Sequence, residues 1–164
     1  MKILVVSDTH RKDDNLKLVL SEECPLDMLI HLGDAEGSEH FIPDWVNPEC
    51  RMEMVLGNND FFSRLDRERE IDIAGHKAFI THGHYYGVSM GPEGPEGLVD
   101  EAKSRGCDIA MYGHTHRPFL DVIDGVTVLN PGSLSYPRQE GRRPSYMIIH
   151  VDADGKMDYQ QKYL

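Results

Sequence analysis

Cysteine is scarce and shows no pairing pattern. Cys24, Cys50 and Cys107 are odd in number, widely spaced and free of any CxxC. That excludes a disulfide-rich scaffold and reads as a reduced, intracellular chain. Long apolar runs are missing too. The longest, such as Ile3–Val6 and Met28–Ile30, are far too short to cross a bilayer. Positive charge is in deficit, with 17 Lys and Arg against 28 Asp and Glu for a net charge of −11. Such a field repels polyanions, so binding to nucleic-acid polymers or to a membrane surface is disfavoured. There is no linker, repeat or low-complexity tract. Met1–Asp8 has a single basic residue and no cleavage signal, so no secretory segment is expected and the location is expected to be cytoplasmic. The one tryptophan, Trp45, reads as a core residue rather than a cofactor platform.

What remains is an ordinary soluble composition. The 164 residues, 40% hydrophobic and 27% charged, suit one domain spanning 1–164. A short apolar strand at Lys2–Ser7 precedes an amphipathic helix with Asp13 or Asp14 as N-cap, Leu16, Val19 and Leu20 on one face, and Pro25 as terminator. Further apolar strands follow at Asp27–Leu32 and Arg51–Leu56, separated by a weak helix or loop at Ser38–Val46. Strands apolar on both faces and alternating with helices predict a buried parallel sheet. Glu70–Ala74 and His76–Thr81 read as a hairpin about Gly75. A Gly/Pro-rich loop (Tyr85–Gly97), a helix near Glu96–Arg105 closed by Gly106, and a strand at Asp108–Tyr112 come next. Period-2 strands then fill Phe119–Ile123, Val126–Leu129, Tyr146–Val151 and Lys156–Tyr163. The pattern predicts an α/β fold with two sheets face to face and helices outside.

The nine histidines are not scattered. Five predicted strands each run into metal-ligand residue types: Asp8-Thr9-His10, Gly33-Asp34, Gly57-Asn58, His82-Gly83-His84 and Gly113-His114-Thr115-His116. In open α/β sheets, sites gather at the carboxyl ends of strands. Several of these residues follow glycine, which lets the backbone turn sharply and approach a bound ion. Singly, each cluster has a bland explanation: a DxH or HxH arises by chance, Asp34 suits a turn and Asn58 a helix cap. Five clusters behind five strands do not. Asp8, His10, Asp34, Asn58, His82, His114 and His116 supply carboxylate oxygens, imidazole nitrogens and an amide oxygen. That mixture suits Mn, Fe, Zn or Ni better than Ca or Mg. Seven side chains exceed one tetrahedral shell and fit two ions with a shared carboxylate.

These segments, in this order and extended to Gly57-Asn58-Asn59-Asp60, resemble the motifs of calcineurin-like metallophosphoesterases. The length and the Asn130-Pro131-Gly132-Ser133 segment are most similar to the small bacterial and archaeal phosphodiesterase branch. The resemblance implies a four-layer α/β/β/α sandwich, two mixed sheets face to face with helices outside, and two divalent ions, expected to be Mn. It implies Asp8, His10, Asp34 and His116 around one ion and Asp34, Asn58, His82 and His114 around the other, with Asp34 bridging. The implied reaction is hydrolysis of a small phosphate ester, expected to be a diester, by in-line attack of a hydroxide bridging the ions.

In one place the sequence departs from that pattern. Many relatives carry His where this chain has Asn59, and an amide donates a hydrogen bond but delivers no proton. His84 is the candidate acid, with a purely supporting role as the alternative, and Asp60 is read as orienting the Asn59 region or a ligand backbone. Asn59 itself, Arg117 and Arg138 are the candidate substrate contacts, whereas Arg142 and Arg143 read as a solvated loop. Tyr85, Tyr86 and Met90 suggest a lid, a substrate wall or a dimer contact, which leaves a homo-oligomer open. The competing function is a non-catalytic scaffold like the retromer subunit of this fold. The completeness of the ligand set argues against it.

Overall fold

Residues 1–88 and 95–164 are described by a computed structural model. Among them are ten strands and two α-helices. Chain order begins β1 (Lys2–Val6), α1 (Asp14–Glu23), β2 (Met28–His31), β3 (Arg51–Met54), β4 (Glu68–Ile73) and β5 (His76–Thr81). It continues with α2 (Glu96–Ser104), β6 (Ile109–Met111), β7 (Pro118–Ile123), β8 (Val126–Pro131), β9 (Ser145–Val151) and β10 (Met157–Tyr163). The strands form two five-stranded sheets, ordered β10-β9-β1-β2-β3 and β4-β5-β6-β8-β7. β1, β2 and β3 are parallel, as are β5, β6 and β8, and antiparallel strands complete the edges.

Side-chain alternation explains the layering. Along β1, Ile3 and Val5 face the second sheet in a core shared with Met28, Ile30, Ile80 and Met111. Leu4 and Val6 face the other way and pack beneath α1, against Leu16, Val19 and Leu20. On the far side, Phe79, Ala110 and Val128 lie under Leu98, Val99 and Ala102 of α2. A strand buried on both faces must be apolar at every position, and this is why Ile3–Val6 reads as a continuous run. The result is the α/β/β/α sandwich that the sequence predicts.

Local chemistry sets the element ends. Cys24 is extended (φ −66°, ψ 148°), as required of a residue before proline, so α1 stops there. Asp13 holds the N-cap position but makes no capping bond; its carboxylate accepts from Ser38 Oγ at 2.8 Å instead. The 38–46 segment forms two short 3₁₀ turns, Ser38–His40 and Ile42–Trp45. Ala74-Gly75 and Asp124-Gly125 both have positive φ at both positions, the turn that fits tight hairpins. Trp45 is half-buried against the core under α1, with Lys17 Nζ 4.4 Å from its ring centroid.

Glu23, buried at the end of α1, ties the carboxyl-terminal strands to the first. Its carboxylate meets Lys2 Nζ and Lys162 Nζ, each at 2.7 Å, and accepts from Tyr146 Oη at 3.0 Å. Burial opposes its ionisation, but the two lysines and the tyrosine outweigh that and hold its pKa down from 4.5 to about 2. A depressed carboxyl pKa gives stability above its unfolded value, which is lost as pH falls through the folded one. Glu23→Gln should therefore be less stable than wild type by about 1–3 kcal/mol at pH 7, with the gap closing between about pH 5 and pH 2. Urea melts across that range check this, and a gap that does not move with pH would contradict it.

Candidate metal centre

Every predicted ligand lies where the carboxyl ends of both parallel sets meet. β1 delivers Asp8 and His10, β2 delivers Asp34, and the turn after β3 delivers Asn58. The second sheet delivers His82 after β5, and His114 and His116 after β6. Five of the seven have a left-handed backbone: Asp8 (φ 55°), His10 (47°), Asp34 (59°), His114 (65°) and His116 (57°). Left-handed conformers at non-glycine residues persist only where surrounding contacts over-determine them, and they cluster at functional sites.

Those contacts are present. The Asp8 carbonyl accepts from Ser133 Oγ at 2.8 Å and Ser135 Oγ at 2.7 Å, while Asp8 N donates to the Gly33 carbonyl at 3.0 Å. His10 N donates to the Asp34 carbonyl at 2.9 Å. Asn130 Nδ2 donates to the Gly113 carbonyl at 2.7 Å and holds the loop that carries His114 and His116. The Asn130–Ser133 segment thus braces the site from outside. The glycines before the ligands serve close approach between loops. A Cβ on Gly57 would strike the Asp34 carboxylate and backbone nitrogen, and one on Gly33 would come within 2.8 Å of His82 Nδ1 and of Gly57.

The donor atoms converge. Asp8, His10 and His116 form one group and Asp8, Asp34 and His82 another, the donor atoms within each lying inside 4.8 Å of one another. His116 Nε2 is 3.0 Å from Asp8 Oδ1, and His10 Nε2 is 3.7 Å from Asp34 Oδ2. On the other side His82 Nε2 is 3.5 Å from that same Asp34 oxygen. Asn58 Oδ1 sits 3.0 Å from His82 Nε2 and 2.8 Å from His114 Nδ1. Asp34 therefore stands between two sets of donors. Three imidazoles are oriented from behind: His10 Nδ1 by Glu36 at 2.6 Å, His82 Nδ1 by the Leu32 carbonyl at 2.7 Å, and His116 Nδ1 by the Tyr136 carbonyl at 2.7 Å. With Nδ1–H donating outward, each Nε2 presents a lone pair to the centre, the usual arrangement behind a metal-ligating histidine.

Electrostatics agree with a cation site. Asp8 Oδ1 is buried and has no hydrogen-bond partner, an unmet charge that a metal ion would satisfy. Burial works against ionisation of Asp8, but His116 and His82 outweigh it and keep its carboxyl below the usual range. Burial likewise opposes ionisation of Asp34, and contacts to His82 and Asn59 outweigh it and keep its carboxyl below the usual range. His82 is pushed up, its burial outweighed by Asp34 and Asp8. The residues fit divalent ions of borderline softness. Asn58 is exposed and His10 and His114 are half-buried, so the centre opens to solvent on that side.

The remaining predicted residues fall around this centre. Asn59 donates from its backbone nitrogen to Asp34 Oδ1 at 2.7 Å and from Nδ2 to Asp34 Oδ2 at 2.6 Å, clamping the shared carboxylate. Asp60 accepts from the backbone nitrogens of Asp34 (2.8 Å), Glu36 (2.6 Å) and Gly57 (2.7 Å), so both oxygens are engaged in locking two ligand loops together. His84 flanks the centre, its ring centroid 5.5 Å from that of His82 and 6.0 Å from that of His114. Burial and those two imidazoles lower its pKa. Arg117 and Arg138 are exposed and line a cleft of 560 Å³ with His10, His116, Tyr136 and Arg142. Arg142, expected on a solvated loop, belongs to this cleft, whereas Arg143 reaches the Leu164 carbonyl at 3.0 Å. Tyr85 is exposed and stacks on His84 with 4.0 Å between centroids. Tyr86 turns inward, onto Phe79 and Glu68, and Met90 lies outside the described residues.

Sequence reasoning missed His31 and Glu36. His31 is fully buried; its Nδ1 accepts from Gly33 N at 3.2 Å and its Nε2 donates to Thr9 Oγ1 at 3.1 Å. It links the two aspartate loops from beneath. Its place two residues before Gly33, in an otherwise aliphatic strand, was the available signal.

Gly57→Ala should destabilise the fold by about 1–3 kcal/mol through overpacking and weaken divalent-cation binding at least about tenfold by displacing Asp34. Urea melts and calorimetric titration of the metal-free protein check this. An unchanged melt with unchanged affinity would contradict the close approach.

The sequence profile of the calcineurin-like phosphoesterase superfamily domain matches residues 1–154. A Mycoplasma pneumoniae protein named "Probable metallophosphoesterase" is 33% identical over 150 residues, covering 92% of this chain and 89% of its own length. A phosphodiesterase of Methanocaldococcus jannaschii is 31% identical over 148 residues, covering 80% and 83%. Among solved structures, a single mutant of Vps29 from Entamoeba histolytica superposes with a TM-score of 0.75 at 22% identity, covering 100% of this chain and 99% of its own. At that identity it shows the fold alone.

Proposed function

Since the chain belongs to the calcineurin-like phosphoesterases, we propose that it hydrolyses phosphodiesters by in-line displacement at a dinuclear divalent-metal centre. The observation that carries this reading is the buried Asp8 oxygen that receives no hydrogen bond inside a complete set of seven donors. Asp8, His10, Asp34 and His116 would hold one ion and Asp34, Asn58, His82 and His114 the other, with Mn first among Mn, Fe, Zn and Ni on the donor chemistry. Bound there, two divalent cations would supply a deprotonated water as nucleophile near neutral pH and neutralise charge on the phosphate.

The chain's own residues do the rest. Glu36, Leu32 and Tyr136 aim the imidazoles through their oxygen atoms. Asn59 and Asp60 fix Asp34 so that it stays between the two donor sets. In the reaction the water oxygen joins phosphorus and the ester P–O bond breaks, the departing oxygen taking up a proton. Asn59 cannot provide that proton, and its amide is committed to Asp34. His84, its ring 5.5 Å from that of His82 and 6.0 Å from that of His114, is the candidate to approach the departing oxygen. Arg117 and Arg138, on the His10 and His116 flank, would steady an anionic arm of the substrate.

A helix long and apolar enough to cross a membrane is absent among the described residues. The scaffold reading rests on the Vps29 likeness, which concerns fold only. The complete donor set favours catalysis.

Metal-dependent hydrolysis of bis(p-nitrophenyl) phosphate beside p-nitrophenyl phosphate tests the reading. Mn(II) should restore diester cleavage to metal-stripped protein, and Asp34→Asn and His82→Ala should each reduce it at least about 100-fold. Inactivity of a protein that binds two ions would move the weight to a scaffold. With Asn59 unable to protonate the leaving oxygen, activity should fall steeply as leaving-group pKa rises across aryl and alkyl diesters, and a flat series would rule that out.

A further inference from the structure

We propose that the cleft beside the metal centre on its Asn59 flank binds a planar aromatic arm of the diester, a nucleobase or similar flat ring, stacked against Phe61 and Phe62. The proposal rests on the phosphodiesterase reading and names the substrate class of that same site. The cleft has a volume of 330 Å³. Its inner wall is the metal centre's own support: Glu36, 2.6 Å from His10 Nδ1, and Asn59, 2.6 Å from Asp34 Oδ2. None of the seven donors lines the cleft; it borders the centre through Glu36 and Asn59, and an ester arm reaching past Asn59 would enter it.

Its outer wall is aromatic. Phe61 is 79% exposed and Phe62 99% exposed, and neither belongs to a hydrophobic cluster among the described residues. Exposing two adjacent phenylalanines forgoes about 1.5–3 kcal/mol of burial for each, so they do not serve the fold. Nor is their loop slack. Asp60, immediately before Phe61, is fixed by three backbone nitrogens, two from the Asp34–Glu36 segment and one from Gly57 in its own turn, and Ser63 N donates back to the Asp60 carbonyl at 3.2 Å. The rings are presented from a braced loop, as stacking requires.

The polar lining suits the edge of a base. Arg11 and His40 offer donors, while Glu36 and Glu39 offer acceptors. The opposite cleft differs in kind, with Arg117, Arg138 and Arg142 and no carboxylate among its lining residues. An anionic arm suits that side and a flat, hydrogen-bonding arm suits this one.

The test compares two diesters with one leaving group, the p-nitrophenyl ester of thymidine 5′-monophosphate and methyl p-nitrophenyl phosphate, in the Mn-loaded enzyme. Wild type should prefer the nucleoside ester in kcat/KM. Phe61→Ala and Phe62→Ala should each lower that preference about tenfold, the loss expected on removing one ring from under a base, and Phe62→Tyr should retain it. Parallel losses on both esters, or no loss, would overturn the proposal. If neither ester is cleaved, the phosphodiesterase reading fails separately, and the cleft is judged by NMR titration of the metal-free protein with adenosine 5′-monophosphate against ribose 5-phosphate. Ring-dependent binding of the nucleotide alone supports the proposal, and equal binding of both overturns it. Sedimentation of wild type and Phe62→Ala covers the other occupant. A dimer that the substitution dissociates would make the aromatic pair a self-association face and overturn the proposal.

Discussion

Two carboxylates, Asp8 and Asp34, are held ionised in the interior where the two sheets meet, and most of the local structure answers that constraint. An ionised carboxylate withdrawn from water is costly unless charge and hydrogen bonds meet it. Here His82 and His116 face Asp8, Ser7 Oγ donates to it at 2.6 Å, and the backbone nitrogen of His114 donates at 3.1 Å. Asn59 takes both oxygens of Asp34. Even so, one oxygen of Asp8 has no hydrogen bond. The protein alone leaves that charge unmet, and a bound cation would meet it.

That constraint explains otherwise wasteful features of the fold. Aiming seven donors at one small volume requires the chain to reverse within a residue or two of each strand end, which places five non-glycine ligands in the left-handed region at a cost of about 1–3 kcal/mol apiece. It requires loops from different strands to touch, which leaves no room for a side chain at Gly33 or Gly57. The strained loops are carried by rigid material. Ile3–Val6 are wholly buried between α1 and the second sheet, and Ser133, Ser135 and Asn130 pin the loops back onto that frame. Stability made in the core is used at the rim.

The sequence spoke clearly wherever a rule of periodicity or residue type applied. Buried strands read as apolar runs because both faces are covered, and Pro25 marked the end of α1. The seven donors stood out because each follows a strand, and strand ends are where an α/β sheet builds its sites. What stayed hidden depends on partners remote in the chain. The hold of Asn59 on both oxygens of Asp34 and the three backbone bonds of Asp60 are disclosed only in three dimensions. His31 was passed over because a lone histidine inside a short strand reads as part of that strand, and its spacing to Gly33 was the one cue. The arginine cleft joins Arg117 to Arg138 and Arg142, more than twenty residues away, and no local pattern predicts that.

The two clefts give the centre an asymmetry that the ligand set lacks. Viewed from Asp34, the donors are nearly balanced, with His10 and His116 to one side and His82, Asn58 and His114 to the other. Beyond them the surroundings diverge: three arginines with a tyrosine on one flank, two exposed phenylalanines amid mixed polar groups on another. A chain of net charge −11 repels small anions from most of its surface, so a local group of arginines beside a cationic centre is where an anionic substrate would be admitted. A symmetric diester would use one flank well and the other poorly. One with a charged arm and a flat arm would use both, and binding energy from groups remote from phosphorus is what holds a substrate in line for attack. On the proposed reading, the donor set would fix the chemistry, and the loops after β3 and β8 would select which ester receives it.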